Sequence, residues 1–185
     1  MFENSPVGLN QDEYILWIGK QTHVNLGGKT IIPDLIGIDL EGNLVIVEFK
    51  LGRAPHKVIS QLFKYAAWAA VECSESDIID IAEAYFREHD VTASKFYDHF
   101  RDVFDIPDAS DIPKLNQSLR LFVVAEDIPD EVSRVGLDIT CIEVSLFQTE
   151  SDEMYVDMDV KVSEEDTACY VYVPETPAKA KLEAF

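Results

Sequence analysis

PDLIGIDLEGNLVIVEFK, residues 33–50, holds two apolar runs separated by Glu41-Gly42-Asn43. Two such runs joined by a short Gly-containing connection predict a β-hairpin. The second run, LVIVEFK, is dense in β-branched residues, the composition of a central strand buried on both faces. Alternate residues of a strand share a face, so Glu48 and Lys50 point to the same side. Asp34 in the neighbouring strand is placed to join them, and two carboxylates and an ammonium then converge at one sheet edge. Charges at the end of a buried strand are costly unless something neutralises them.

Beyond the hairpin, Pro55 suits the first turn of a helix running to about residue 72. Val58, Ile59, Leu62, Phe63, Ala66 and Ala69 recur at spacings of three and four. Gln61 and Tyr65 are four apart and share one face of that helix. Residues 75–104 read as two further helices, DIIDIAEAYFREH and ASKFYDHFRDVF. Pro107 and Pro113 break the stretch 105–117 into a loop. LRLFVVAED is another buried strand, DIPDEVSRV a short helix, and LDITCIEVSLF a long strand. On the amino-terminal side, residues 10–22 predict a helix, because Tyr14, Ile15, Trp17 and Ile18 fall at helical spacing behind a cap at Asn10 or Asp12. Two alternating segments in the tail, MYVDMDVKV and ACYVYV, suit an edge hairpin, and the end, PETPAKAKLEAF, is expected to fray. The order predicts an α/β fold with a mixed central sheet flanked by helices. The expected layout is one domain over 1–150 with a helical insertion at about 73–118, followed by an acidic extension over 151–185.

The chain has 35 acids against 15 bases, a net charge of −20. Taken alone, that argues against a polyanionic partner. Its distribution says otherwise. Between Lys50 and Lys64 stand Lys50, Arg53, Lys57 and Lys64, with His56 and without a single acid. A local basic patch of this kind can contact phosphates in spite of the global charge. Cys73, Cys141 and Cys169 are far apart and lack metal-ligand spacing, which suits reduced, buried thiols in a cytoplasmic protein. No apolar run is long enough to span a bilayer, and no secretory signal opens the sequence. The four histidines show no paired spacing for a metal, and Trp17 and Trp68 read as core.

Carboxylates gathered with an ammonium suit a hard divalent cation, Mg²⁺ or Mn²⁺, held by one or two carboxylates with water and substrate phosphate. Such an ion lowers the pKa of its water and offsets charge on a phosphodiester. The carbonyl of Phe49, between the two charged side chains, is a further candidate ligand. Lys50 can orient or deprotonate the attacking water, or stabilise the charge that develops on phosphorus.

The stretch 33–50 resembles the PD-(D/E)xK signature of the restriction-endonuclease-like superfamily. Asp34 matches its aspartate after proline, and Glu48-Phe49-Lys50 its E-x-K. The helix that begins RAPHKVISQLFKYAAWAA is similar to the Q-x-x-x-Y helix of RecB-like and NucS-like nucleases, with Gln61 and Tyr65 in the matching positions. LFVVAED, a helix and GLDITCIEVSLF resemble the later strand-helix-strand of the NucS-like branch. The likeness covers residues 10–72 and 119–147. It implies a restriction-endonuclease-like core and a metal-dependent nuclease acting in repair or related processing of DNA. Catalysis would rest on Asp34, Glu48, Lys50, Gln61 and Tyr65, and the metal on Asp34, Glu48 and the Phe49 carbonyl. A supporting glutamate on the first helix is also implied, with Glu13 the candidate and Asp12 next. Arg53, Lys57 and Lys64 are candidates for nucleic-acid contact. A homodimer is expected where both strands are cut, since one centre cuts one strand. The competing reading is a nuclease fold that has lost catalysis and binds DNA or a protein partner.

Overall fold

The computed structural model describes residues 14–89, 91, 95–133, 139–148 and 154–161, with 146–148 and 154–156 through their backbone alone. The hairpin read from residues 33–50 is present. Its strands are β4 (Leu35–Asp39) and β5 (Leu44–Arg53), paired antiparallel with Leu35 opposite Val47 and Ile38 opposite Leu44. In the connection, Gly42 takes φ +80, where a side chain would be strained. A Cβ there would also stand 2.8 Å from the Lys114 carbonyl oxygen.

Around the hairpin, β1 (Ile15–Lys20), β6 (Leu119–Asp127), β7 (Ile139–Gln148) and β8 (Met154–Lys161) complete a six-stranded sheet in the order β1-β4-β5-β6-β7-β8. The pairs β5–β6 and β6–β7 are parallel and the other three antiparallel, so the sheet is mixed. A separate two-stranded hairpin, β2 (Val24–Leu26) and β3 (Lys29–Ile31), turns on Gly27 and Gly28, both at positive φ. Between β5 and β6 the chain forms α1 (Lys57–Val71), α2 (Glu75–Glu88) and α3 (Phe96–Phe104), and α4 (Asp130–Ser133) follows β6. Parallel neighbours need such a crossover.

Alternation along the strands sorts the core. Ile36, Ile38, Leu44 and Ile46 face the helices, in one buried cluster with Val58 and Leu62 of α1, Ile78 and Phe86 of α2, and Phe96 and Phe100 of α3. Leu35, Val45 and Val47 face the other way, with Ile15, Trp17, Phe122 and Val124. The helix α2 lies along β1 and begins with a capping box in which Ser74 and Asp77 satisfy each other's backbone donors.

One expected element is different. The sequence predicts a helix over 10–22, but residues 15–20 form β1, antiparallel to β4, and 10–13 lie outside the described residues. Ile15, Leu16, Trp17 and Ile18 are all buried, with Leu16 and Ile18 in one cluster and Ile15 and Trp17 in the other. A run of four apolar residues has no readable period, and its length and β-branched, aromatic content favour a strand. Gly37 supports the pairing. It stands opposite Trp17, and a Cβ there would meet the indole at 2.8 Å.

The remaining elements match their segments. The segment MYVDMDVKV supplies β8, which pairs with β7, whereas ACYVYV lies outside the described residues. Trp17, Trp68, Cys73 and Cys141 are buried, as expected, and Cys169 lies outside. Among the described residues no helix is long and apolar enough to cross a membrane.

A buried ionic group pins the turn end of the hairpin. Asp39 accepts hydrogen bonds from the Asn43 backbone N–H at 2.8 Å and from Arg120 Nη1 at 3.1 Å. Arg120 also lies over the Phe122 ring.

Candidate functional site

The opposite end of the hairpin carries the residues singled out from the sequence. Continuing the β4–β5 register one step past Leu35 and Val47 sets Asp34 across from Glu48. Asp34 stands just before β4 rather than within it. The cluster forms toward the carboxyl end of β5, an interior strand between β4 and β6, and not at a lateral edge of the sheet. Glu48 and Lys50 share the parity of Ile46 and so face α1. The Asp34 Oδ2 accepts the backbone N–H of Phe49 at 2.8 Å, which fixes the carboxylate beside the strand.

Glu48 is 2% exposed and remains tolerable there because its oxygens are occupied. Its Oε1 accepts from the Lys50 ammonium and from Gln61 Nε2, the latter at 2.8 Å. Its Oε2 accepts the Tyr65 hydroxyl at 2.8 Å. Gln61 Nε2 also donates to the Tyr65 oxygen at 2.9 Å. The single hydroxyl hydrogen of Tyr65 has a second acceptor in reach, the Ile32 carbonyl at 3.0 Å. Burial pushes the Glu48 carboxyl above its ordinary range, and the Asp34 charge adds to this, while Lys50 and Tyr65 oppose it. Burial and the neighbouring Glu48 carboxylate together push the Tyr65 phenol up.

The local sequence explains the convergence. Spacing of two in a strand and of four in a helix each bring a pair to one face, and α1 packs on the face of β5 that carries Glu48. Past Lys50 the β5–β6 register shifts, with Gly52 at φ +67. Such a bulge re-aims side chains, and Leu51 is left 96% exposed beside the site.

Glu13 and Asp12 lie outside the described residues. Among the described residues no three His, Cys, Asp or Glu side chains gather as a metal-binding group. Asp34 and Glu48 are two carboxylates on one face, and with the Phe49 carbonyl they make an all-oxygen donor set. That chemistry fits a hard divalent cation completed by water and phosphate rather than a soft metal.

The basic residues separate. Lys57 and Lys64 line a cleft of about 330 Å³ between α1 and the end of β3, with Gln61 and Tyr65 also in its wall. Arg53 lies elsewhere, at the end of β5, where its Nε is 3.4 Å from Asp127. One feature of the site, the Ile32 carbonyl, has no counterpart in the sequence expectations, because a main-chain group has no sequence signature.

Comparison of the chain with protein-family models, with curated proteins and with solved structures finds no match. A functional reading therefore rests on the site.

Proposed function

We propose that this chain is a metal-dependent nuclease with a restriction-endonuclease-like core, hydrolysing phosphodiester bonds of nucleic acid, with DNA the expected substrate. The observation that carries the reading is the buried Glu48 carboxylate, which receives Lys50, Gln61 and Tyr65 on the sheet face to which Asp34 is also brought. A structural ion pair needs one cation. Gln61 and Tyr65 satisfy the lone pairs of a buried carboxylate in either case, and it is Asp34 on the same face that adds a second carboxylate no ion pair requires.

Asp34, Glu48 and the Phe49 carbonyl would hold Mg²⁺ or Mn²⁺. The ion, when bound, supplies a water of lowered pKa and positive charge for the phosphodiester. The chain's own residues do the rest. Gln61 and Tyr65 orient Glu48, and the Phe49 N–H orients Asp34, so neither carboxylate reorganises when charge develops. Lys50 places its ammonium where negative charge accumulates on the phosphate oxygens, or holds the attacking water. A homodimer would present two such centres to two strands.

A second reading, a nuclease-fold module that binds without cutting, has an observation in its favour. The Glu48 carboxylate already accepts three hydrogen bonds, and a metal must share or displace them. One experiment separates the two. Calorimetric titration with Mn²⁺ is combined with a cleavage panel of labelled single-stranded, double-stranded and branched DNA. Metal binding with strand scission supports the nuclease. Nucleic-acid binding without scission at saturating Mn²⁺ supports the inactive module.

A further inference from the structure

We infer that Leu51 is an apolar wedge that enters the stack of nucleobases beside the phosphate at Glu48 and Lys50, so that cleavage favours the base steps that open most readily. The inference rests on the nuclease reading and adds to it a residue that selects where a strand is cut.

Leu51 is 96% exposed, and among the described residues the next most exposed large apolar side chain, Tyr14, reaches 52%. A leucine on a loose surface loop needs no explanation. This one stands on a held protrusion. The β5–β6 register passes from Lys50 opposite Ala125 to Arg53 opposite Asp127, so two residues of β5 stand against one of β6. That is a β-bulge, and it ends the alternation of faces. Gly52 makes the turn at φ +67, with open space where its Cβ would be. Both feet of the bulge are fixed. Lys50 is bonded to Glu48, and the Ala54 N–H donates to the Asp127 carbonyl at 2.8 Å.

The protrusion adjoins the chemistry. Leu51 follows Lys50, and consecutive Cα atoms lie about 3.8 Å apart. The phosphates of one strand of a duplex repeat about every 3.4 Å along its axis. A tip one residue past the ammonium therefore falls at the base step next to the phosphate that the ammonium meets. The ligand has the same alternation as the chain: anionic phosphates, and flat apolar ring faces one step away. Charge leaves an approach open. Residues 49–71 hold no acid in a chain with 35. Glu126 and Asp127 of β6 stand beside the bulge, with Asp127 met by Arg53 at 3.4 Å. A polyanion thus reaches Leu51 from the side of α1 rather than across β6.

Entry of the wedge opens the stack. Apolar side chains, leucine among them, insert between base steps in this way. Pyrimidine–purine steps unstack more easily than the others. Insertion costs least there, so the phosphates beside those steps are presented to Glu48 and Lys50 more often. An aliphatic tip reads no hydrogen-bonding edge of a base, so the selection is a graded preference and not the recognition of a fixed sequence.

The test uses the full chain in Mn²⁺ with a random-sequence DNA library, offered both as single strands and as duplex, and cut positions are mapped by sequencing the ends. Wild type is compared with Leu51→Ser, Leu51→Met and Leu40→Ser, the last an exposed leucine at the turn end of the hairpin. A second readout is the fluorescence of 2-aminopurine at a pyrimidine–purine step, which rises as the base unstacks. Wild type should cut pyrimidine–purine steps about tenfold more often than the others, in whichever form it cuts, and should raise the fluorescence. Leu51→Ser should lose the bias and the rise, and cut those steps about tenfold more slowly, the size of effect expected for one leucine taken out of an apolar contact. Leu51→Met, which keeps an apolar tip, and Leu40→Ser should behave as wild type. All four should melt alike, because a side chain this exposed adds no packing, and a lower melting temperature for Leu51→Ser would assign Leu51 to the fold instead. Equal bias and rate in wild type and Leu51→Ser overturns the inference while the nuclease stands, and so does a uniform loss of rate that leaves the bias intact. A fluorescence rise that depends on Leu51, without cleavage, supports the wedge and removes the nuclease. Neither cleavage nor a rise removes both.

Discussion

The backbone N–H of Phe49 donates to Asp34 Oδ2 at 2.8 Å, so the residue between Glu48 and Lys50 is held by the third charged member of the site. Asp34 and Glu48 repel when no metal ion is bound, with the Lys50 ammonium offsetting part of this, and removing one carboxylate is expected from charge alone to stabilise the apo protein. The hydrogen bond makes the outcome depend on what replaces Asp34. Asp34→Asn keeps an acceptor and loses the charge, and should be as stable as wild type or more so. Asp34→Ala leaves the Phe49 N–H without its acceptor and should lose about 1–2 kcal/mol. Both should lose Mn²⁺ binding. Chemical denaturation and calorimetry measure the two effects, and an Asp34→Asn protein that binds Mn²⁺ as tightly as wild type would sink the ligand assignment.

Lys50 pairs with a carboxylate that is 2% exposed, which links stability to metal. Lys50→Met should cost about 1–3 kcal/mol, because Glu48 keeps Gln61 and Tyr65 but loses its only ion-pair partner among the described residues. Metal binding should survive, since an ammonium is not a ligand. Mn²⁺ should therefore raise the melting temperature of Lys50→Met more than that of wild type. Single-turnover cleavage should fall about a hundredfold, the effect of removing one positioned electrostatic group. Wild-type cleavage by this variant at saturating enzyme would show that Lys50 stands outside the chemistry.

Tyr65 serves two elements with one hydroxyl. Tyr65→Phe should destabilise by about 1–2 kcal/mol by stripping a donor from the Glu48 carboxylate. It should also loosen the hairpin formed by β2 and β3, because the Ile32 carbonyl loses its neighbour. Hydrogen exchange at residues 29–32 reads the second effect. Exchange unchanged from wild type would mean that Tyr65 does not hold the hairpin, which is also packed through Val24, Leu26 and Ile31 and tied at Gly27–Glu72.

His99 gives a pH dependence remote from the site. Its ring packs edge-on against Phe86 at 4.7 Å, and burial lowers its pKa from the ordinary 6.5, with Asp102 opposing. The folded state therefore holds fewer protons than the unfolded chain in this range. Stability from His99 is complete above pH 6.5 and declines as pH falls from there toward the lowered folded value. Wild type should lose more melting temperature than His99→Phe between pH 7.5 and pH 5.5, a window of about one unit on either side of the free imidazole value. Equal losses in the two proteins would show that His99 titrates as freely in the folded state as in the unfolded.

Much of this arrangement is legible in local spacing. Glu48 and Lys50 differ by two in a strand, and Gln61 and Tyr65 by four in a helix, so each pair shares a face whatever the rest of the fold does. That the two faces meet follows from the helix after β5 packing back on its strand. The element that differs, β1, is an apolar run too short to show its period. The cleft is illegible for another reason. Lys57 and Lys64 read as a patch together with Arg53, but the chain returns Asp127 beside Arg53 and sets β3 opposite the two lysines. Partners that far apart in sequence leave no local trace.

Asp39 and Arg120, 81 positions apart, act on a different problem. Alternating burial protects a sheet against a shift of one residue, because every side chain would change face. It gives no protection against a shift of two, which keeps inside and outside intact. A parallel slide of β6 along β5 by two positions would carry Arg120 about 6–7 Å from Asp39 and leave a buried carboxylate without its guanidinium. The ion pair thus proofreads the alignment to which apolar packing is blind, and so keeps the site end of β5 in step with β6 during folding.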